Sequence, residues 1–125
     1  MLFDTDVLIW YLRGNEKAAS VMEKTENRKI SVVSYMELLQ GAKDKREAKM
    51  IRSFLKDLDF EILPLTENIG HRASVYMEEY CLKVHMCLAD ALLASTAIEN
   101  HLTLCTANNK HYKVIGELDI QVFRP

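Results

Sequence analysis

Short apolar runs alternate with longer amphipathic segments along the whole chain, and this alternation restricts its fold more than any other feature. Five apolar runs have the length of a strand, at residues 2–3, 30–33, 61–63, 103–105 and 120–123. The segments between them are long enough for helices, and strands that alternate with helices form a parallel sheet covered by those helices. A chain of 125 residues has the length of one such domain. We therefore predict a single α/β domain over residues 1–125.

One helix is predicted clearly over residues 44–58, where apolar positions follow the i, i+3, i+4, i+7 spacing of a helix face. These positions are Ile51, Phe54, Leu55 and Leu58. The opposite face is basic and consists of Lys45, Lys49, Arg52 and Lys56. We interpret the basic stripe as a solvated face, because neighbouring acids dilute its charge. A stripe that follows nucleic-acid phosphates is the alternative.

Net charge and hydropathy exclude several classes of chain. The formal net charge of −2 and the 49% share of hydrophobic residues exclude a disordered tail and a polybasic arm. The longest apolar run, residues 7–12, is far shorter than the roughly 20 residues of a membrane span. The first residues enter an apolar strand without the basic segment of a secretion signal. We therefore expect a cytoplasmic protein that makes no membrane contact.

Acidic residues recur where the chain leaves a predicted strand and enters a helix. Asp4 and Asp6 follow the first strand, Glu37 lies in the helix after the second, and Asp90 opens the alanine-rich helix before the fourth. In a parallel α/β sheet these junctions lie along one edge, so the side chains can converge there. Crowded carboxylates repel one another unless a hard cation lies between them. The pattern therefore predicts a site for Mg²⁺ or Mn²⁺.

Each acid also has a purely structural explanation. Asp4 or Asp6 could cap the first helix, and Ser34 with Glu37 forms the S-x-x-E capping-box pattern. Asp90 could complement the positive end of a helix dipole. Capping alone does not require an acid at every junction, because serine, threonine and asparagine cap equally well. A helix also has one N-cap position, so capping does not explain Asp4 and Asp6 together.

Four segments in this order resemble a known family. They are FDTDVLIWYL, SVVSYMELLQGA, LADALLASTAI and LTLCTANNKHY. Together they resemble the PIN-domain ribonucleases of the VapC toxin type, and the resemblance covers nearly the whole chain. It implies a PIN-like parallel sheet of four or five strands with helices on both faces. It also implies that Asp4, Glu37 and Asp90 are the catalytic acids, with Asp6 at a variable polar position beside the first.

The resemblance assigns further residues to supporting roles. Thr106 matches the position that helps to hold the site, and Asn108 replaces a fourth acid that many members carry. The number of metal ions, one or two, therefore stays open. In this hypothesis Asp4 and Asp90 bind Mg²⁺ or Mn²⁺ directly, Glu37 binds the ion or its water, and Asp6 lies in the first or second ligand shell. We expect Ser34, Thr106 and Asn108 to orient waters or ligands.

The implied function is a metal-dependent endoribonuclease that cleaves single-stranded regions of RNA. It would be the toxin of a toxin–antitoxin pair, form a homodimer, and be inhibited by a cognate antitoxin whose tail fills the active-site groove. The resemblance reveals neither the RNA target nor the antitoxin.

Two alternatives remain at this point. The first is a PIN scaffold that has lost catalysis and binds RNA or protein, which Asn108 motivates. The second is a haloacid-dehalogenase-type phosphohydrolase with Asp4 as nucleophile and Asp6 as general acid and base. That family has a glycine-containing pair after the second aspartate, where this chain has Val7 and Leu8.

Overall fold

The chain folds into strands and helices that alternate along its length. The computed structural model describes residues 1–125. The strands are β1 Leu2–Phe3, β2 Lys29–Ser31, β3 Glu61–Leu63, β4 Leu104–Thr106 and β5 Ile120–Val122. The helices are α1 Thr5–Leu12, α2 Glu16–Lys24, α3 Val32–Gln40, α4 Lys45–Asp57, α5 Glu67–Val84 and α6 Leu88–Glu99. A short 3₁₀ turn, Asn109–His111, follows β4.

All five strands are parallel and lie in the order β3-β2-β1-β4-β5. The chain builds outward from β1 to β3 on one side and then continues with β4 and β5 on the other. Crossover connections in parallel sheets are right-handed, so this reversal puts the two sets of helices on opposite faces. It also opens a crevice at the carboxyl ends of β1 and β4, where ligands bind in sheets of this kind.

The core confirms that helices cover both faces of the sheet. Neighbouring residues of a strand point to opposite faces. Leu2 and Leu104 belong to a buried cluster with α5 and α6, whereas Phe3 and Cys105 belong to a cluster with α1 to α4. The predicted α/β architecture is therefore correct. None of the helices combines the length and apolar character that are needed to cross a membrane.

The element boundaries agree with the sequence except at three strands. The helix predicted over residues 44–58 is α4, with Asp44 as its N-cap and Leu58 as its C-cap. Strand β4 begins and ends one residue later than predicted, and β5 ends one residue earlier. Strand β2 begins one residue earlier, at Lys29, and ends at Ser31 rather than at residue 33.

The early end of β2 results from helix capping by Ser31, whose Oγ accepts a hydrogen bond from the Val33 amide at 3.0 Å. This cap draws two β-branched residues into the first turn of α3. The capping box assigned to Ser34 and Glu37 is therefore wrong. Ser34 lies inside α3, and its buried hydroxyl has no hydrogen-bond partner.

Replacing the two serines should separate these assignments. We expect Ser31→Ala to lower the free energy of unfolding by about 1 kcal/mol, because it removes the N-cap bond of α3. Ser34→Ala should cost less, since the hydroxyl it removes has no bond to lose. Urea denaturation of both variants measures the difference. A larger loss for Ser34→Ala would contradict the assignment of the cap.

Candidate active site

Asp4 lies at the centre of the carboxyl-end crevice. It follows β1 directly, and its backbone amide bonds to the Cys105 carbonyl of β4 at 2.9 Å. Its side chain caps α1, since Oδ1 accepts from the Thr5 amide at 2.7 Å. The residue is 8% exposed, so this carboxylate is almost entirely removed from water. Asp4 can therefore cap α1 and belong to the predicted acidic site at the same time.

Two hydroxyl groups link Asp4 to the other aspartates. Thr106 Oγ1 donates to Asp4 Oδ2 at 2.8 Å and lies 3.5 Å from Asp6 Oδ2. The Tyr112 hydroxyl lies 3.1 Å from Asp4 Oδ2 and 3.2 Å from Asp90 Oδ1. The structure therefore brings Asp4, Asp6 and Asp90 together, as the sequence predicted.

Glu37 joins this group through a third hydroxyl. Thr5 Oγ1 donates to Glu37 Oε1 at 2.7 Å, and the amide of the same threonine bonds to Asp4. Glu37 is otherwise exposed, whereas Asp4 is buried. We call Asp4, Asp6, Glu37 and Asp90 the acid cluster. It has one buried end and one end open to solvent.

Asp90 occupies the first turn of α6. Its Oδ2 accepts from the Cys87 amide at 3.3 Å, which completes one side of a capping interaction. The same oxygen lies 3.1 Å from His111 Nδ1. Asp90 therefore bonds to the start of its own helix and to the segment after β4.

Burial opposes the ionisation of Asp4 and Asp6. Burial, and then the charge of Asp6, raise the pKa of Asp4 to about 7, against the hydrogen bonds from Thr106, Thr5 and Tyr112. Burial also raises the pKa of Asp6, although the Ala107 amide donates to its Oδ2 at 3.1 Å. The other oxygen, Asp6 Oδ1, is buried and has no hydrogen-bond partner. The hydrogen-bond donors around the ionised cluster therefore do not fully compensate its negative charge.

A hard divalent cation fits this set of donors. All of the candidate ligands are carboxylate oxygens, which Mg²⁺ and Mn²⁺ prefer, and one buried oxygen is unpaired. No group of three or more histidine, cysteine, aspartate or glutamate side chains is arranged so that all of them could hold one metal ion. A set of three protein ligands is not required, because Mg²⁺ usually keeps several waters and binds one or two carboxylates.

The side chains of two predicted supporting residues make no hydrogen bond to the acids. The Ser34 hydroxyl has no partner, and Asn108 is exposed. Asn108 contributes its backbone amide, which donates to Thr106 Oγ1 at 3.1 Å, and its side chain does not cap the 3₁₀ turn. A role for these two side chains in orienting water stays a prediction.

The sequence interpretation missed three members of the site: Thr5, His111 and Tyr112. Thr5 lies between two predicted site residues, so its position was a usable signal. His111 and Tyr112 lie in the segment after β4, which the parallel-sheet rule places at the same edge as the acids. Their side-chain directions depend on a non-repetitive turn, which has no sequence period.

The sequence is similar to a known domain family and to two known ribonucleases. The family model "PIN domain" matches residues 1–117. Ribonuclease VapC10 of Mycobacterium tuberculosis is 34% identical over 122 residues, which cover 94% of this chain and 90% of that protein. Ribonuclease VapC1 of Methanocaldococcus jannaschii is 27% identical over 124 residues, which cover 98% and 86% of the respective chains.

Solved structures show the same fold. A toxin–antitoxin complex from Klebsiella pneumoniae contains a chain that is 30% identical, with a TM-score of 0.79 and coverage of 94% of this chain and 93% of that one. VapBC2 from Rickettsia felis, bound to a DNA fragment from its promoter, gives a TM-score of 0.84 at 23% identity, with 98% coverage of both chains. At that identity the second likeness concerns the fold alone.

The raised pKa of Asp4 predicts an unusual dependence of stability on pH. Between about pH 4 and pH 7 folded Asp4 keeps a proton that the unfolded chain has lost, so its contribution to stability falls as pH rises. Without divalent metal, Asp4→Asn should therefore melt at a higher temperature than the wild type at pH 8. The difference should be smaller at pH 5.

Thermal denaturation in EDTA measures this effect. The matched control is Asp119→Asn, because Asp119 is exposed. We expect the control to follow the wild type at both pH values. An Asp4→Asn variant whose melting temperature differs from the wild type equally at pH 5 and pH 8 would contradict the assigned shift.

Proposed function

The chain belongs to the PIN-domain family, and from this we propose that it is a metal-dependent endoribonuclease cleaving single-stranded RNA as the toxin of a toxin–antitoxin pair. The observation that carries the proposal is the acid cluster at the β1–β4 crevice, whose members the sequence predicts to converge. The ribonuclease that is 34% identical over 94% of the chain supports the activity. The match to the PIN family over residues 1–117 favours this function over the haloacid-dehalogenase alternative.

We assign the roles of the acids from their surroundings. Asp4 and Asp90 would hold a Mg²⁺ or Mn²⁺ ion, with Glu37 at the open end as a further ligand or as the holder of a water. When bound, such an ion lowers the pKa of a coordinated water and offsets charge on the phosphate. Thr106 holds Asp4, and Thr5 holds Glu37. Asp6 adds negative charge beside Asp4.

The substrate would approach from the open end of the cluster. Glu37 is exposed and lines a groove of about 500 Å³ between α1, α3 and α4. Arg13 and Lys43 also line this groove and could pair with phosphate oxygens. We place the enzyme in the cytoplasm, in agreement with the expectation from the sequence.

The same groove is suited to an antitoxin tail. Its apolar lining is Ile9, Leu12, Leu38, Ala42, Met50 and Ile51. A peptide with apolar side chains could bury them there, and a basic side chain of that peptide could pair with Glu37 and the other acids. The 30% identical chain was solved as part of a toxin–antitoxin complex, which supports such a partner.

We also propose a homodimer. Large apolar side chains are exposed where α5 ends and α6 begins, with Leu82 92% and Leu88 64% exposed. Met36, beside Glu37 on α3, is 51% exposed. Contact with a second copy would remove such side chains from water.

Catalysis is tested by cleavage of single-stranded RNA with Mg²⁺ or Mn²⁺ and with EDTA. We expect cleavage with either ion and none with EDTA. Asp4→Asn, Asp90→Asn and Glu37→Gln should each lower the rate by more than about 100-fold, the upper limit for losses of outer-shell partners. Asp119→Asn is the control and should keep its activity. Binding of RNA without turnover in the wild type would favour the inactive-scaffold alternative.

The two protein interfaces are tested by native mass spectrometry of the chain, alone and co-expressed with the small protein encoded beside it. We expect a dimer alone and a complex with the neighbouring gene product. Met50→Glu should weaken the complex and leave the dimer, because Met50 lines the groove. Leu82→Glu should weaken the dimer and leave the complex with the neighbouring gene product intact.

Both replaced side chains are largely exposed, so neither change should unfold the chain. A wild-type chain that stays monomeric would refute the homodimer. A co-expressed pair that gives no complex would refute the antitoxin proposal.

A further inference from the structure

We propose that Tyr112 is a positioning residue of the nuclease site, whose hydroxyl orients Asp4 and Asp90 for binding of a divalent ion. This inference rests on the proposed function, because it names a residue that acts through the proposed metal ligands. Tyr112 is not itself among those ligands.

The position of the hydroxyl is set by the core and not by the acids. Tyr112 is 1% exposed and belongs to the buried cluster that includes Ala91 and Ala94 of α6. Its backbone amide bonds to the Asn109 carbonyl at 3.0 Å, and its carbonyl accepts from the Ile115 amide at 3.0 Å. The ring is therefore packed in the core and the backbone beside it is held by two hydrogen bonds, so the hydroxyl meets the acid cluster at a defined point.

This hydroxyl is the one group that bonds to both Asp4 and Asp90. The other partners of the Asp4 side chain are the Thr5 amide and the Thr106 hydroxyl. The other partners of the Asp90 side chain are the Cys87 amide and the His111 ring. Tyr112 thus joins the acid at the end of β1 to the acid at the start of α6.

A phenol has one proton, and here it faces two carboxylate oxygens at 3.1 and 3.2 Å. It can reduce the repulsion between these oxygens and keep each carboxylate from rotating. Hydrogen bonds of this kind orient metal-binding carboxylates, and their loss typically costs about 10- to 100-fold in metal affinity or activity.

The alternative is that Tyr112 has only a packing role, and that its hydroxyl bonds to the two acids because they are the acceptors at the edge of the core. Tyr112→Phe separates the two explanations, because phenylalanine keeps every ring atom and loses the hydroxyl. A packing role predicts unchanged metal affinity in the folded variant. A positioning role predicts weaker binding.

Tyr76 provides a matched control. It is 5% exposed and belongs to the same buried cluster. Its hydroxyl bonds to Glu117 and Arg72, neither of which belongs to the acid cluster. Tyr76→Phe therefore removes a tyrosine hydroxyl from the same core without removing a hydrogen bond to Asp4 or Asp90.

The experiment measures Mn²⁺ binding to the purified chains by the electron paramagnetic resonance signal of the free ion. We expect the dissociation constant of Tyr112→Phe to rise at least about tenfold over the wild type, and that of Tyr76→Phe to stay unchanged. Circular-dichroism melts confirm folding. The Mn²⁺ concentration that gives half-maximal RNA cleavage should rise by the same factor in Tyr112→Phe.

Equal Mn²⁺ affinity of Tyr112→Phe and the wild type would overturn this inference and leave the proposed function intact. An equal loss of Mn²⁺ affinity in Tyr76→Phe would also overturn it, since the loss would then result from a change in core packing. A wild-type chain that neither binds Mn²⁺ nor cleaves RNA would overturn the proposed function together with the inference.

Discussion

The carboxylate of Asp4 lies almost fully buried at the end of the central strand, next to two other aspartates. A buried charge is costly unless donors or a counter-ion compensate it. The donors here come from three parts of the chain: the Thr5 amide of α1, the Thr106 hydroxyl of β4 and the Tyr112 hydroxyl after the 3₁₀ turn. The site therefore depends on a sheet order that places β4 beside β1.

Helix capping and the proposed metal binding use the same side chains in this fold. Asp4 caps α1, and Asp90 accepts from the Cys87 amide at the start of α6. Helix N-termini stabilise carboxylates, which lets acids converge at the sheet edge at a tolerable cost. The compensation is incomplete, because burial and the charge of Asp6 still raise the pKa of Asp4 to about 7. The protein thus keeps a destabilising cluster that a divalent ion would neutralise, a conflict expected at functional sites.

The sequence was sufficient to predict the sheet, because strand–helix alternation identified all five strands. The strand-end rule also predicted that Asp4, Glu37 and Asp90 lie at one edge of the sheet, where the structure brings them together. Their catalytic role stays a prediction. The sequence could not show which serine near β2 caps α3, since Ser31 and Ser34 are both good caps and the choice depends on where the strand ends. The directions of the Asn108 side chain and the Tyr112 hydroxyl also could not be predicted from the sequence, because an irregular turn after β4 sets them.

The central claim is that the acid cluster around Asp4 binds a divalent ion for catalysis. An anomalous difference map from crystals of the wild-type chain grown with Mn²⁺ tests it most directly. We predict a peak within about 2.0–2.6 Å of oxygens of Asp4 and Asp90, the range of metal–oxygen bonds for hard cations. A map with its main peak at another acidic surface, and none beside Asp4, would contradict the account.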